Sequence, residues 1–294
     1  MPEVRRTVDI AIGLIDFNTP RVTEAAVTDL RSKFPGAMIL VVENGTTRGE
    51  YGDAVVIRPG RNLGFAGGCN RLIGEARSRR LSALWIMNND CVARADALGV
   101  YADAAEAGDA DIYTSVALHG DTDRIWYGGG VHDPRTLRQR HLRYGEVFQA
   151  PPAVASFPTQ WASGANMYLP QRTIERAERL DEDLFLYLEE VEWQLRSRLT
   201  VVCSNQALVR HHAGSTTSGV STDLEFFFTA RNRVRLAGSL GGSRRVRFWS
   251  AWLSDHVVRP VARGQWRRAR VALLALRSAD LPGAVALDKL RGAT

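Results

Sequence analysis

Cysteine and lysine are scarce in this chain, and each shortage narrows what it can be. Only Cys69, Cys91 and Cys203 occur among 294 residues, far apart and without a C-x-x-C spacing. Neither a disulfide framework nor a zinc site is expected, and the three read as small core residues. Lys33 and Lys289 are the only lysines, so nearly every cation is an arginine. No apolar run approaches the roughly 20 residues that a membrane-spanning helix needs. The start, MPEVRRTVDIAIGLIDFN, carries a strand-length apolar stretch that holds Asp9 and Asp16, not the plan of a signal peptide, and a cytoplasmic protein is expected. There is no internal repeat and no low-complexity tract. With 45% hydrophobic and 24% charged residues, wholesale disorder is excluded and one large core, with or without a smaller appendage, is within reach.

Charge is unevenly spread. The net charge is +6, yet residues 231–294 hold fourteen Lys or Arg against Asp255, Asp280 and Asp288, which leaves the remainder mildly acidic. A basic tail of this kind suits nucleic acid, anionic lipid or a phosphorylated substrate, and charge alone does not choose among them. Nucleic-acid binding is the weakest reading, because the expected folds and interleaved stacking aromatics are missing.

Strand and helix signals alternate through the first hundred residues. VDIAIGLI (8–15), AMILVVEN (37–44), AVVIRPG (54–60) and ALWIMNND (83–90) read as strands, with helices near 20–33 and after Gly68. That order predicts a parallel sheet with helices on both faces, whose ligands sit beyond the carboxyl ends of the strands. Asp16 to Asn18, Glu43 with Asn44, and Asn88 to Asp90 would converge on that edge. Residues 119–160 are rich in Gly, Pro, Arg and Tyr and read as a long excursion covering or flanking the site. WASGANMYL (161–169) reads as a buried strand, TVVCSNQALVRHHAGSTT (200–217) as one or two strands and a polar loop, and Arg231 to Arg291 as basic amphipathic helices. In the last of these, Trp249, Trp252, Leu253 and Val257 share one helical face.

Three motifs carry chemistry, each beside a plainer alternative. RNLGFAGGCN (61–70) is neither G-x-G-x-x-G nor a phosphate loop, and its glycines serve either helix packing or close approach to a ligand. Asp90 sits at a strand tip beside two amides. It is either a turn residue or one carboxylate ligand for Mg²⁺ or Mn²⁺, ions that bridge one or two carboxylates to substrate phosphates. In DEDLFLYLEEVEWQLRSR (181–198), Glu189, Glu190 and Glu192 crowd the start of a helix, where acids also occur merely because the helix dipole favours them. His211 and His212 follow a strand and are either surface residues or a metal or phosphate ligand.

Taken together, GLIDFN (13–18), VVEN (41–44), NLGFAGGCN (62–70), MNND (87–90), WASGA (161–165), LDEDLFLYLEEVEWQLR (180–196), HHAGS (211–215) and FFFTARNRVRL (226–236) resemble the inverting glycosyltransferases of family 2, most of all their rhamnosyltransferase-like branch. The likeness covers roughly residues 8–240 in order. It implies an α/β fold of the glycosyltransferase-A type, a Rossmann-like, mixed, mainly parallel sheet with helices on both faces. A catalytic domain would span 1–240, with a nucleotide-binding half to about 118 and an acceptor half from 119, followed by a basic helical extension at 241–294.

The resemblance also implies roles. Asp16, Phe17, Asn18, Glu43 and Asn44 would line the base and ribose pocket, with Arg61, Asn62 and Asn89 beside the nucleotide and Gly67 letting a helix approach it. Asp90 and His211 would hold Mg²⁺ or Mn²⁺. Trp161, Gly164, Ala165, Glu192 and His212 would form the sugar and acceptor pocket. Glu190, with Glu189 beside it, would be the general base, ionised at neutral pH if its pKa stays near the ordinary value of about 4.3. Members of the family commonly carry Asp where Glu43, Glu190 and Glu192 stand here, and Thr or Ser where Asp16 stands. An inactive nucleotide-sugar-binding homologue is the alternative that these departures raise. A sugar nucleotidyltransferase would need a Gly-rich, Arg-Lys loop after the first strand, which GLIDFNTPRV lacks. The implied donor is a dTDP- or UDP-sugar, with rhamnose the leading sugar, and the acceptor a hydroxyl compound, lipid-linked or a natural product. The basic helices would rest on the inner face of a membrane, pack on the catalytic domain or form a homodimer contact.

Overall fold

The computed structural model describes residues 9–108, 110–212 and 221–293. Strand β1 (Ile10–Asp16) sends Ile10, Ile12 and Leu14 to one apolar cluster and Ala11 to another on the opposite face. Such two-sided burial is what a parallel strand covered by helices on both faces demands. Helix α1 (Pro20–Lys33) opens on a proline, tolerated there because the first turn's N–H groups have no helical partner anyway, and turns Val27 and Leu30 towards the sheet. Strands β2 (Met38–Glu43) and β3 (Val55–Ile57) extend the sheet in parallel on one side of β1, and β4 (Ala83–Asn88) pairs in parallel on the other.

Between β3 and β4 lies helix α2 (Gly64–Ser78), which begins at Gly64 and not after Gly68 as the sequence suggests. The glycines stand inside the helix for a steric reason. A Cβ on Gly68 would lie 2.7 Å from the Ile15 side chain, so the bare backbone is what lets α2 settle against β1.

The chain continues through β5 (Cys91–Ala93), α3 (Ala97–Ala107) and β6 (Ile112–His119). The expected excursion over 119–160 holds short strands of its own: β7 (Ile125–Tyr127), the hairpin of β8 (Gly130–Asp133) with β9 (Arg138–His141), and β10 (Ser156–Thr159). The strand expected over 161–169 starts only at Asn166. Residues 161–165 turn instead, with the Asn166 amide donating to the Ser163 carbonyl at 2.9 Å, and β11 (Asn166–Pro170) then enters antiparallel between β4 and β6. After α4 (Gln171–Arg176) and α5 (Glu189–Arg196), a single bulged strand, β12 (Val201–His211), runs parallel to β6. The ten-stranded sheet has the order β10-β12-β6-β11-β4-β1-β2-β3, with β5 on β12 and β7 on β6.

The C-terminal part is helical: α6 (Ser221–Leu236), α7 (Gly242–Leu253), a π-helical turn (Ser254–Val258), α8 (Arg259–Ala262), α9 (Trp266–Arg277) and α10 (Gly283–Ala293). Phe227 and Phe228 of α6, Phe248 and Trp252 of α7, Ala272 and Ala275 of α9 and Leu287 of α10 form one buried cluster with Phe185, which precedes α5. Of the apolar face expected along α7, Trp252 is fully buried, Trp249 and Val257 pack against this cluster, and Leu253 is exposed. Among the described residues no helix is long and apolar enough to cross a membrane.

Candidate active site

The tip of β4 divides its polar residues between structure and solvent. Asn89 turns inward, and its amide donates to the hydroxyls of Thr19 (3.0 Å) and Thr23 (2.7 Å). Both hydroxyls in turn donate to the Asp16 carboxylate, so a fully buried Asp16 ties the β4 turn to the start of α1. Asp90 faces the other way. Antiparallel pairing of β12 with β5 sets His211 opposite Cys91, which brings the His211 Nε2 to 3.2 Å from the Asp90 carboxylate and 3.3 Å from the Asn88 amide nitrogen. Trp126 packs nearly perpendicular to the imidazole, with ring centroids 4.1 Å apart.

Asp90, Cys91 and His211 each offer a ligand atom, all within 4.8 Å of one another. The donor set suits a hard divalent cation held by two of the three. Burial pushes the Cys91 thiol well above its ordinary range, and its Sγ lies 3.6 Å from the Ala165 carbonyl as a donor to it, whereas a carboxylate oxygen and an imidazole nitrogen are ligands that Mg²⁺ or Mn²⁺ accepts. Asp90 and His211 are thus the residues that fit the ion.

Across the cavity stands the first turn of α5. Glu189 is buried and Glu190 half-buried, and in each the Oε2 has no hydrogen-bond partner. Burial pushes both carboxyls up, Glu189 further because the neighbouring Glu190 charge adds to it. Backbone amides of Glu190, Gly164 and Val191 draw Glu190 part of the way down. The ordinary pKa expected for Glu190 is therefore not what its site gives, since low-dielectric surroundings penalise its charged form.

Asp90, His211, Glu189 and Glu190 line one cavity of about 620 Å³, with Trp161, Gly164 and Ala165 in its wall. The wall also contains Asn88, at the strand tip expected to face the site, and Trp126, His141 and Tyr187, which motif reading had not singled out. His141 Nδ1 meets the Trp126 carbonyl at 2.8 Å, so that nitrogen carries the proton, and burial pushes the imidazole pKa down. The only sequence signal for Trp126 and His141 was their place in the 119–160 excursion, and for Tyr187 its place in the 181–198 segment. Two predicted residues lie elsewhere. Glu192 pairs with Arg196 along α5, and the His212 Nε2 lies 3.8 Å from Asp121. Residues 213–220, including the whole AGSTT stretch, lie outside the described residues.

Along the same sheet edge, the remaining predicted residues chiefly brace loops. Asn18, at φ +57°, accepts from the amides of Thr46 and Thr47. Asn44 donates to the Gly64 carbonyl and accepts from the Leu63 amide, and Asn62 accepts from the Gly64 amide. A Cβ on Gly67 would meet Leu63, so that glycine too serves the first turn of α2. Glu43 is buried under Arg48, Arg58 and the Gly49 amide; burial raises its pKa, but these partners together hold it below the ordinary range. Phe17 and Arg61 are exposed.

Residues 18–159 match the family model described as Glycosyl transferase family 2. That match takes in a little under half of the chain. The fold agrees. GalNAc-T7, solved with UDP, GalNAc and Mn²⁺, superposes over 82% of this chain with a TM-score of 0.61 at 12% identity. The mannosyltransferase PcManGT from Pyrobaculum calidifontis, solved with GDP-Man and Mn²⁺, covers 97% of this chain and is itself covered over 79%, with a TM-score of 0.52 at 12% identity. S. aureus TarS 1-349 covers 92% and is covered over 80%, with a TM-score of 0.50 at 12% identity. The chain spans 50% of the length of the GalNAc-T7 chain. No curated protein sequence matches it. At these identities the superpositions establish the fold, a glycosyltransferase-A type, mixed and mainly parallel sheet.

Proposed function

We propose that the protein transfers a sugar from a nucleoside diphosphate to an acceptor hydroxyl in one inverting displacement. The observation that carries this reading is the meeting of Asp90 and His211 with Glu190 in one cavity at the carboxyl edge of the sheet. Asp90 and His211 come from strand tips and Glu190 from a helix start, a hundred residues beyond Asp90 in sequence, and structural need alone does not explain two carboxylates with unpartnered buried oxygens.

In such a displacement the acceptor oxygen attacks the anomeric carbon as its proton passes to a carboxylate, which we assign to the Glu190 Oε2. A carboxyl raised by burial is the stronger base once ionised, and the helix-start amides favour the charged form it must reach. Glu189, raised further, stays protonated to higher pH and leaves Glu190 the more readily ionised of the pair. A bound Mg²⁺ or Mn²⁺ would neutralise charge building on the departing diphosphate. Trp161 and Trp126 wall the cavity and exclude water, and the Ser163–Ala165 turn fixes the floor. On this reading the nucleotide lies along the edge framed by Asp16 to Asn18, Glu43, Asn44 and Asn62, within reach of the exposed Phe17 and Arg61. The motif likeness supports rhamnose on dTDP as the donor, with UDP as the other base.

The rest of the reading follows from the surface. Helices α7 and α9 expose Val246, Leu253, Trp266 and Leu273 among their arginines, which supports contact with the inner face of an anionic membrane, and with it a cytoplasmic enzyme acting on a lipid-linked acceptor. A homodimer would use the same face. The proposed division is a catalytic part to residue 240 and a helical extension beyond it.

A thermal-shift panel of UDP, dTDP and GDP with and without Mn²⁺ or Mg²⁺ tests the central claim, because a ligand that binds only the folded state raises its apparent stability. One nucleotide should shift the wild type in a metal-dependent way, and Asp90→Ala should abolish the shift. No shift with any nucleotide would favour the inactive homologue.

A further inference from the structure

The eight residues leading into the proposed base are held in an unusual way. Phe185, Tyr187 and Leu188 have φ of +67°, +63° and +78°, so three non-glycine residues within four adopt the left-handed region just before Glu189 and Glu190. Backbone of this kind persists only where its surroundings over-determine it. Two elements do so here. At the start of α2, the amides of Phe65 (2.7 Å) and Ala66 (3.3 Å) donate to the Phe185 carbonyl, and Gly64 is a glycine because any Cβ would sit 2.2 Å from that oxygen. From α6, the side-chain amide of Asn232 donates to the carbonyls of Leu184 (2.9 Å), Leu186 (3.0 Å) and Tyr187 (2.7 Å).

The orientation of that amide is fixed by its neighbour. Asn232 Oδ1 accepts from Arg231 at 2.5 Å, and a guanidinium only donates, so the NH₂ must face the three carbonyls. Arg231 is fully buried and donates also to the carbonyls of Asp183, Ser278 and Leu281. Ser278 and Leu281 belong to the link between α9 and α10. Gly283, at the start of α10, closes on Phe185 so tightly that a Cβ would lie 2.2 Å from the Phe185 Cβ. The pair Arg231 and Asn232 thus joins the C-terminal helices to the left-handed run.

We infer that Asn232 is a positioning residue for Glu190, holding the 184–187 carbonyls so that the first turn of α5 presents its carboxylate to the cavity, and that Arg231 anchors this clasp to the α9–α10 link. The inference rests on the proposal that Glu190 is the base. Neither residue lines the cavity, so neither touches substrate.

Asn232→Asp tests it, since it keeps the shape and the Arg231 partner and puts a carboxylate oxygen where the donors stood. Asn232→Ser serves as the second variant if that one does not fold. Each is read by metal-dependent nucleotide affinity, by release of nucleoside diphosphate from the donor that the panel identifies, and by amide exchange over residues 184–192. The expected result is unchanged nucleotide affinity and donor KM, kcat lower by about 100-fold as a misplaced group entails, and faster exchange confined to 184–192. Wild-type kcat in the Asn232 variants, with Glu190→Gln inactive, would overturn the clasp while leaving the base. Wild-type turnover by Glu190→Gln would overturn the base alone. The exchange measurement needs no substrate, and unchanged protection at 184–192 would overturn the clasp by itself.

Discussion

At the scale of single residues, the proposed base Glu190 and its neighbour Glu189 are told apart by opposite readouts. Glu190→Gln should lower kcat by about 100-fold or more, the range of a lost general base, and leave nucleotide affinity intact. Because burial raises the Glu190 pKa, the acid limb of kcat/KM should fall above 4.5, the ordinary carboxylate value, and a limb at or below it would argue against Glu190 as the base. Glu189 has the opposite readout. A carboxyl whose pKa is raised on folding gives stability that is complete below its unfolded value and declines as pH climbs through the folded one. The contribution of Glu189 to stability should therefore decline from pH 4.5 upwards, and Glu189→Gln should remove that decline and be more stable than the wild type at neutral pH. Asp90 and Glu190 could be marked from motifs because the residues that give them meaning are close in sequence. Trp126 and His141 could not, because their place in the cavity depends on pairings with His211 and Trp161 that no local pattern encodes.

At the scale of elements, α2 contains both kinds of glycine. Gly64 sits at φ +68° with Phe185 against it, whereas nothing lies within 4 Å of a Cβ on Gly74, which is in the exposed helix interior. Gly64→Ala should destabilise by about 1–3 kcal/mol or more, and Gly74→Ala should stabilise by about 1 kcal/mol, both measured by denaturant unfolding. Equal effects would mean that the start of α2 is not gripped as described. The same helix shows why its start was misplaced from sequence. Glycine ordinarily interrupts a helix, and only the approach of Ile15 reveals why Gly68 is inside one. Strand β11 was mis-started for a related reason, since WASGA is as apolar as the strand it precedes yet turns to form the cavity wall.

At the scale of the whole molecule, the C-terminal helices are joined to the preceding residues by a shared apolar cluster and by charge. Arg138 of β9 pairs with Asp255 of the π-helical turn, which also binds Arg233 of α6, and Arg233 donates to His256 at 3.0 Å. His256 therefore stays neutral, with its pKa lowered to about 4 by burial and by the Arg233 charge. The unfolded chain binds that proton near 6.5, so this group's stabilisation is complete above pH 6.5 and is lost as pH falls towards 4, by about 3 kcal/mol. His256→Gln should reduce the acid sensitivity of unfolding, measured by denaturant at pH 4.5 and 7. The outer face of the same helices gives the membrane test. Flotation with anionic liposomes should be strong at low salt and weaken as salt screens the arginines, and no flotation at moderate salt would leave packing and dimer contact as their roles.

The sequence by itself determined the order of strands and helices over residues 8–90, the sheet edge on which Asp16, Glu43 and Asp90 lie, and the acids at the start of α5. These depend on residue periodicity and on short spacings, which act within a few residues. Only the tertiary structure decided that His211 and not His212 meets Asp90, that Glu192 turns away to Arg196, and that Glu190 is buried enough to shift. It also decided that Asn232, some forty residues beyond Glu190, grips the backbone before it. Burial, strand register and left-handed backbone are set by partners distant in the chain, and their energies exist only once those partners are in place.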